Sequence, residues 1–165
     1  IRRHQHSADR TGVFSHGEIM SVTVNPYCDQ DLEGIDALWR EAFPDDQPRH
    51  RAEVVIPAKL AFQPDLLLVA RDQDRVVGSV MVGYDGHRGW INRLAVLKAR
   101  RAQGVGALLM REAEDRLRAL GCRKINLQVR TANRAVVEFY RSLGYDVEER
   151  ISMSKLIPPG PDRPS

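Results

Sequence analysis

Between Val96 and Met110 the chain reads Val-Leu-Lys-Ala-Arg-Arg-Ala-Gln-Gly-Val-Gly-Ala-Leu-Leu-Met: three cations, two glycines and no acid. The residue types suit one kind of chemistry, the holding of a phosphate. Strand-like Trp90–Val96 runs into this loop, and Gly104 and Gly106 lead directly into an amphipathic helix. The first-turn N–H groups of a helix have no intrahelical partner, and the helix dipole favours negative charge beside them. Glycines let a ligand come close to the backbone. Two other phosphate loops are excluded by spacing. A Walker loop needs Lys-Ser/Thr after its last glycine, where Ala107-Leu108 stands, and a dinucleotide fingerprint needs a third small residue where Leu109 stands. Outside the loop, the residues able to move or attract a proton are Tyr140, Asp85 and His87 in a hairpin-like stretch, and Arg93 in an otherwise apolar strand.

The elements around the loop have a definite order. Val105, Leu109, Ala113, Leu117 and Leu120 recur at three- and four-residue spacing and predict a helix over Gly104–Leu120, stopped by Gly121. Lys124–Val129 alternates at period two, which predicts a half-buried strand. Asn133–Leu143 predicts a short helix closed by Gly144. Upstream, the expectations are a strand over Val22–Tyr27, a helix from Asp29 or Asp31 to Phe43, a loop over Pro44–Pro48, and a weaker helix over Arg49–Ala61 interrupted at Pro57. Leu66–Arg71, Val76–Tyr84 and Trp90–Val96 then read as strands joined by short turns, and a last strand follows Gly144. That order predicts an α/β (α+β) fold with a mixed central sheet flanked by helices.

Arg101-Ala102-Gln103-Gly104-Val105-Gly106 resembles the Arg/Gln-x-x-Gly-x-Gly/Ala signature of the GNAT acyl-CoA-dependent N-acyltransferases. Asn133 through Tyr140 to Gly144-Tyr145 resembles that family's second motif, in the expected order after the first. The resemblance covers about Val76 to Lys155, and Tyr84–Gly89 looks like the hairpin of a small bacterial acetyltransferase branch. It implies a GNAT fold and acetyl-CoA as cosubstrate, its pyrophosphate held by the loop Arg101, Ala102, Gln103, Gly104, Val105, Gly106 and Ala107. It further implies that backbone N–H groups of Leu94, Ala95 and Val96 bind the pantetheine arm and the thioester carbonyl, an oxyanion-hole arrangement. Tyr140 then lies where a phenol protonates the departing thiolate. Asn133 either touches the cofactor arm or caps its helix, and the two are compatible.

Two departures stand out. Ala102 occupies a place where most members have glycine, and alanine resists a positive φ. The general base is not evident: ribosomal-protein alanine N-acetyltransferases have Glu where Gln128 stands, and histone-type members have Glu at the place of Trp90. An amide cannot take up a proton at neutral pH. Asp85 and His87 are candidates, against the plainer reading of Asp-Gly as a hairpin turn. Arg93 either faces the substrate or pairs with an acidic neighbour. Trp39, Phe43 and Asp45-Asp46 fall where the resemblance puts the substrate-facing first helix and loop.

Composition bounds the rest. A chain of 165 residues, 42% hydrophobic, can bury one substantial core. A net charge of +3, with 22 acidic against 25 basic residues, suits a local basic patch better than a nucleic-acid surface. Cys28 and Cys122 lack metal-site or disulfide spacing, so they read as reduced thiols, with no metal and no cysteine nucleophile. No apolar run approaches the ~18 residues of a membrane span. Residues 1–19 read as a disordered or vector-derived leader, 20–157 as one domain and 158–165 as a disordered tail. The function expected is cytoplasmic, acetyl-CoA-dependent transfer to a primary amine of a protein N-terminus, a lysine or a small molecule, by direct attack. The alternative is a catalytically weak acyl-CoA sensor of the same fold. Neither a nucleic acid nor a membrane is an expected partner, and the resemblance allows a homodimer.

Overall fold

A computed structural model describes residues 21–160. The leader expected over 1–19 and the last five residues of the expected tail lie outside the described residues. The chain divides into two compact units, one ending at Gln128 and the other beginning at Val129.

The first unit is a five-stranded sheet in the order β1-β2-β3-β4-β5, with β1 Val22–Pro26, β2 Leu67–Asp72, β3 Arg75–Tyr84, β4 Gly89–Val96 and β5 Ile125–Leu127. Neighbours are antiparallel up to β4, and β5 joins β4 in parallel. Helices α1 (Leu32–Ala42) and α2 (Ala52–Phe62) bury Ile35, Leu38, Trp39, Ala52 and Ile56 with Leu67, Val69, Val76 and Ala95 of the sheet. Helix α3 (Val105–Ala119) buries Val105, Leu109, Met110, Ala113 and Leu117. It packs close against the sheet where side chains are missing. A Cβ on Gly78 would lie 3.0 Å from Leu109 Cδ1, and one on Gly89 would lie 2.8 Å from Leu117 Cδ1.

Two expectations need correction. Pro57 does not interrupt α2, which runs unbroken to Phe62. Pro57 removes one N–H from the ladder and sits exposed, while the buried Ala52 and Ile56 keep the helix docked, so packing outweighs the local penalty. The strand expected after Gly144 does not form among the described residues: there the second unit has one helix, α4 (Arg134–Ser142), and residues 145–160 have no helix or strand. Apolar–polar alternation makes a strand only where a neighbouring ladder takes up its backbone groups.

The sheet has one irregularity that bears on function. Ser79 pairs with Ala95 and Met81 with Asn92, so Arg93 and Leu94 together face the single residue Val80. This is a β-bulge, and Arg93 at its start has φ +51°. On the other side of β4, pairing with β5 covers only Gly89–Ile91. From Asn92 onward that edge of β4 has no strand partner among the described residues.

Candidate active site

The loop after β4 is made of free amides. The amides of Arg100 and Arg101 close a short turn on Leu97 O and Lys98 O, and the first helical bond of α3 is Leu108 N–H to Gly104 O. Between them the amides of Ala102, Gln103, Gly104, Val105, Gly106 and Ala107 donate to nothing among the described residues. Gly104 is the N-cap of α3, at φ +85° and ψ 0°, a conformation that glycine adopts at little cost. Ala102 adopts φ +58°. The turn is therefore left-handed despite the alanine, at a strain of about 1–2 kcal/mol for a residue with a Cβ. Six donors in a row at a helix N-terminus have the chemistry of a pyrophosphate cradle.

The charges beside the loop are fewer than the sequence implies. Arg100 pairs with Asp72 of β2 and donates through Nε to Gln103 Oε1 at 3.0 Å. Glu41 of α1 accepts from Lys98 N–H at 3.1 Å. Acids absent from the local sequence thus arrive through the fold. The exposed Arg101 donates through Nε to Val96 O at 3.3 Å, and Gln103 Nε2 donates to Ala99 O at 3.2 Å. Both side chains serve to shape the loop.

The open edge of β4 continues from it. Leu97 N–H donates to Val77 O on β3, so strand alternation turns Ala95 toward β3 and Val96 away. Leu94, in the bulge, stands outside the β3 ladder. Of the three amides expected to hold an acyl group, those of Leu94 and Val96 are at the open edge, whereas Ala95 belongs to the ladder and to the core. The sequence could not tell them apart because the bulge has no side-chain signature.

Arg93 pairs with an acid, as one of its two readings had it. Nη2 lies 2.6 Å from Asp46 Oδ2, and Cζ lies 4.1 Å from the Trp39 ring centre and 4.5 Å from that of Phe43. Trp39 Nε1 donates to the buried Ser79 Oγ at 2.9 Å. His50 Nδ1 lies 3.9 Å from Asp46 Oδ1. Residues 39, 43, 46 and 93 are brought together by the fold, and Ser79, which anchors them, had no signal in the sequence.

The hairpin candidates resolve toward turn chemistry. Asp85 Oδ1 accepts from His87 N–H at 2.8 Å and Arg88 N–H at 2.7 Å, and Oδ2 accepts from Trp90 Nε1 at 3.3 Å. The Arg88 amide, then the His87 amide, hold the Asp85 carboxyl below its ordinary value, so it stays ionised and is a poor proton acceptor. His87 is exposed at the same tip, and Gln128 follows the end of β5, exposed.

In the second unit Asn133 caps α4, its side chain accepting from Val136 N–H at 3.4 Å. Tyr140, not Phe139, is the buried aromatic of this helix. Its ring meets Phe139 edge-on at 5.2 Å and Tyr145 at 5.7 Å. Burial pushes the Tyr140 phenol up to about 12, so it keeps its proton at neutral pH.

A strand bulged beside an open edge runs here into an amide-lined turn and a helix N-terminus, an arrangement with the chemistry to receive a phosphate group. The model of the acetyltransferase (GNAT) family matches residues 32–145, and the chain belongs to that family. It is an acyltransferase. An acetyltransferase of Sodalis glossinidius is 41% identical over 123 residues, 73% of this chain and 84% of the relative. One of Pectobacterium atrosepticum is 41% identical over 127 residues, 76% of this chain and 88% of the relative. Among solved structures, the PaiA N-acetyltransferase of Thermoplasma acidophilum in complex with coenzyme A superposes with a TM-score of 0.70 at 19% identity, covering 80% of this chain and 94% of its own. An aminoglycoside N-acetyltransferase in complex with CoA gives 0.67 at 17% identity, covering 82% and 94%. These last two show the shared fold. No helix among the described residues is long and apolar enough to cross a membrane.

Proposed function

We propose that this protein transfers an acetyl group from acetyl-CoA to a primary amine by direct attack. The observation that carries the reading is the run of six unpartnered amides, Ala102–Ala107, one turn beyond the bulged open edge of β4. The loop amides would hold the pyrophosphate, and Leu94 and Val96 N–H would receive the thioester carbonyl, where negative charge grows as the amine nitrogen bonds to the carbonyl carbon. As the C–S bond breaks, the thiolate takes a proton from Tyr140, which its raised pKa keeps protonated; the nitrogen loses its proton to water. Tyr140 is given this role by its place in the second motif, and Asn133 is a helix cap first. The acceptor is a protein N-terminus, a lysine or a small amine, with no metal needed for the chemistry. The site of action proposed is the cytoplasm.

Calorimetric titration with acetyl-CoA, run on the wild type and on Gly106→Trp, tests the loop, and thiol release across a panel of amines tests turnover. Binding that is lost in the variant, together with thiol release, is the expected result. Binding without release from any amine would favour an acyl-CoA sensor, and absence of binding by the wild type would sink the transferase reading.

A further inference from the structure

Arg93 sits in a conformation that its own backbone does not favour. A left-handed residue in the middle of a strand is unusual for any side chain with a Cβ, and without compensation the strand would regularise. Regularising would add a β3 partner for Arg93 or Leu94 and shift the register beyond it by one residue, turning each later amide to the other edge. Something must therefore hold the bulge.

We propose that the Arg93 side chain is that hold: clamped by Trp39, Phe43 and Asp46, it is a positioning residue that keeps the Leu94 and Val96 amides at the open edge for the acyl carbonyl. The proposal rests on the transferase reading and goes beyond it in naming what aims the amides. The guanidinium stacks on two rings of α1 and the loop after it, and bonds Asp46 in that loop. Trp39 is itself pinned to Ser79, and Ser79 pairs with Ala95, the residue just past the bulge. A closed circuit thus runs from β3 through α1 to the bulge and back to β3. One detail shows that the position is imposed on Arg93: its Nε is buried with no hydrogen-bond partner among the described residues. A side chain placed to satisfy its own donors would not leave that one empty. The side chain is only 14% exposed and turned onto the rings, so it acts through the backbone it carries, not by touching the acceptor.

The test compares wild type with Arg93→Ala, Arg93→Gly and Asp46→Asn in the full chain. Acetyl-CoA affinity is read by calorimetry, kcat with an amine that the wild type accepts, and backbone amides by 15N–1H spectra. Arg93→Ala should lower kcat about tenfold or more, the cost of a misaimed group, and Arg93→Gly should lose less, because glycine adopts the positive φ at little cost. Acetyl-CoA affinity should stay within about threefold in both because the loop amides are untouched. Asp46→Asn keeps the stacking and should lose about threefold in kcat with no loss of folding. In the spectra, the Leu94 and Val96 amides should move and those of 102–107 should not. Added guanidinium should not restore Arg93→Ala, since an untethered ion cannot hold a backbone. Unchanged kcat in all three variants, unmoved Leu94 and Val96 amides, or rescue by guanidinium would each overturn the proposal. The spectra decide it even if the wild type releases no thiol, an outcome that would count against the transferase reading alone. If the Arg93 variants do not fold, Asp46→Asn with wild-type kcat and spectra is the overturning result.

Discussion

The loop at Ala102–Ala107 and the cluster around Arg93 are neighbours along the chain, yet they are built on opposite plans. The loop is made of backbone: six amides, a glycine cap and side chains that mostly hold its own turns. The cluster is made of side chains from α1, its following loop, β3 and the β4 bulge. A backbone site tolerates change in its side chains but not in its shape. A side-chain site behaves the other way. Phosphate recognition by amides can therefore recur under many sequences, whereas a cluster of this kind lasts only while its side chains are kept.

The sharpest tests exploit that contrast, and the largest effect belongs to a side chain. Tyr140→Phe removes the proposed proton donor and should lower kcat by about a hundredfold or more with acetyl-CoA affinity nearly unchanged, measured by thiol release and calorimetry. The same pair has a pH signature. The folded-state phenol titrates near 12 against an ordinary 10.0, so the folded state binds more protons between those values. Stability from this source is intact below pH 10 and falls as pH rises toward 12. Denaturant melts should show that fall in the wild type and a flatter curve for Tyr140→Phe.

Gly106→Trp obstructs the amides themselves and should weaken acetyl-CoA binding by about a hundredfold, or about 2.7 kcal/mol, with the melting temperature little changed. Ala102→Gly relieves the strained turn. Because the strain of about 1–2 kcal/mol exceeds the entropy that glycine adds to the unfolded chain, a net gain of about 0.5–1 kcal/mol in stability is expected by urea titration, with acetyl-CoA binding at least as tight. Arg101→Ala should be the mildest, a loss of less than about threefold in acetyl-CoA affinity that fades in high salt, because the exposed guanidinium adds only a screened charge. A large loss there would mean that side chains share the work assigned to amides.

Much of the fold could be read from periodicity. The spacing of Val105, Leu109, Ala113 and Leu117 predicted α3 and its buried face, and Leu67–Asp72 and Arg75–Tyr84 fell where apolar runs met turn residues. Ala102 is a departure from the motif that resists a positive φ, yet the fold holds it at φ +58°. Pro57 and the stretch after Gly144 went the other way. One was overruled by packing, and the other kept an alternating pattern with no strand formed. In the site, Arg100 looked like a free cation because Asp72 lies far away in sequence. Asp85 stood as a candidate base against the plainer reading of a hairpin turn, and its carboxylate accepts two turn amides and an indole, which favours the turn.

By itself, then, the order of residues determined what depends on near neighbours: the helix and strand periods, the glycine turn into α3, the anion-seeking amides there, and the family to which these belong. Three-dimensional packing settled what depends on residues distant along the chain. It made the bulge at Arg93, chose Leu94 and Val96 over Ala95 for the open edge, neutralised Arg100 and stacked a guanidinium on Trp39 and Phe43. The reason is physical. Backbone conformation and its free donors are set within a turn or two of chain, whereas register, burial and charge pairing exist only once separate segments share one core.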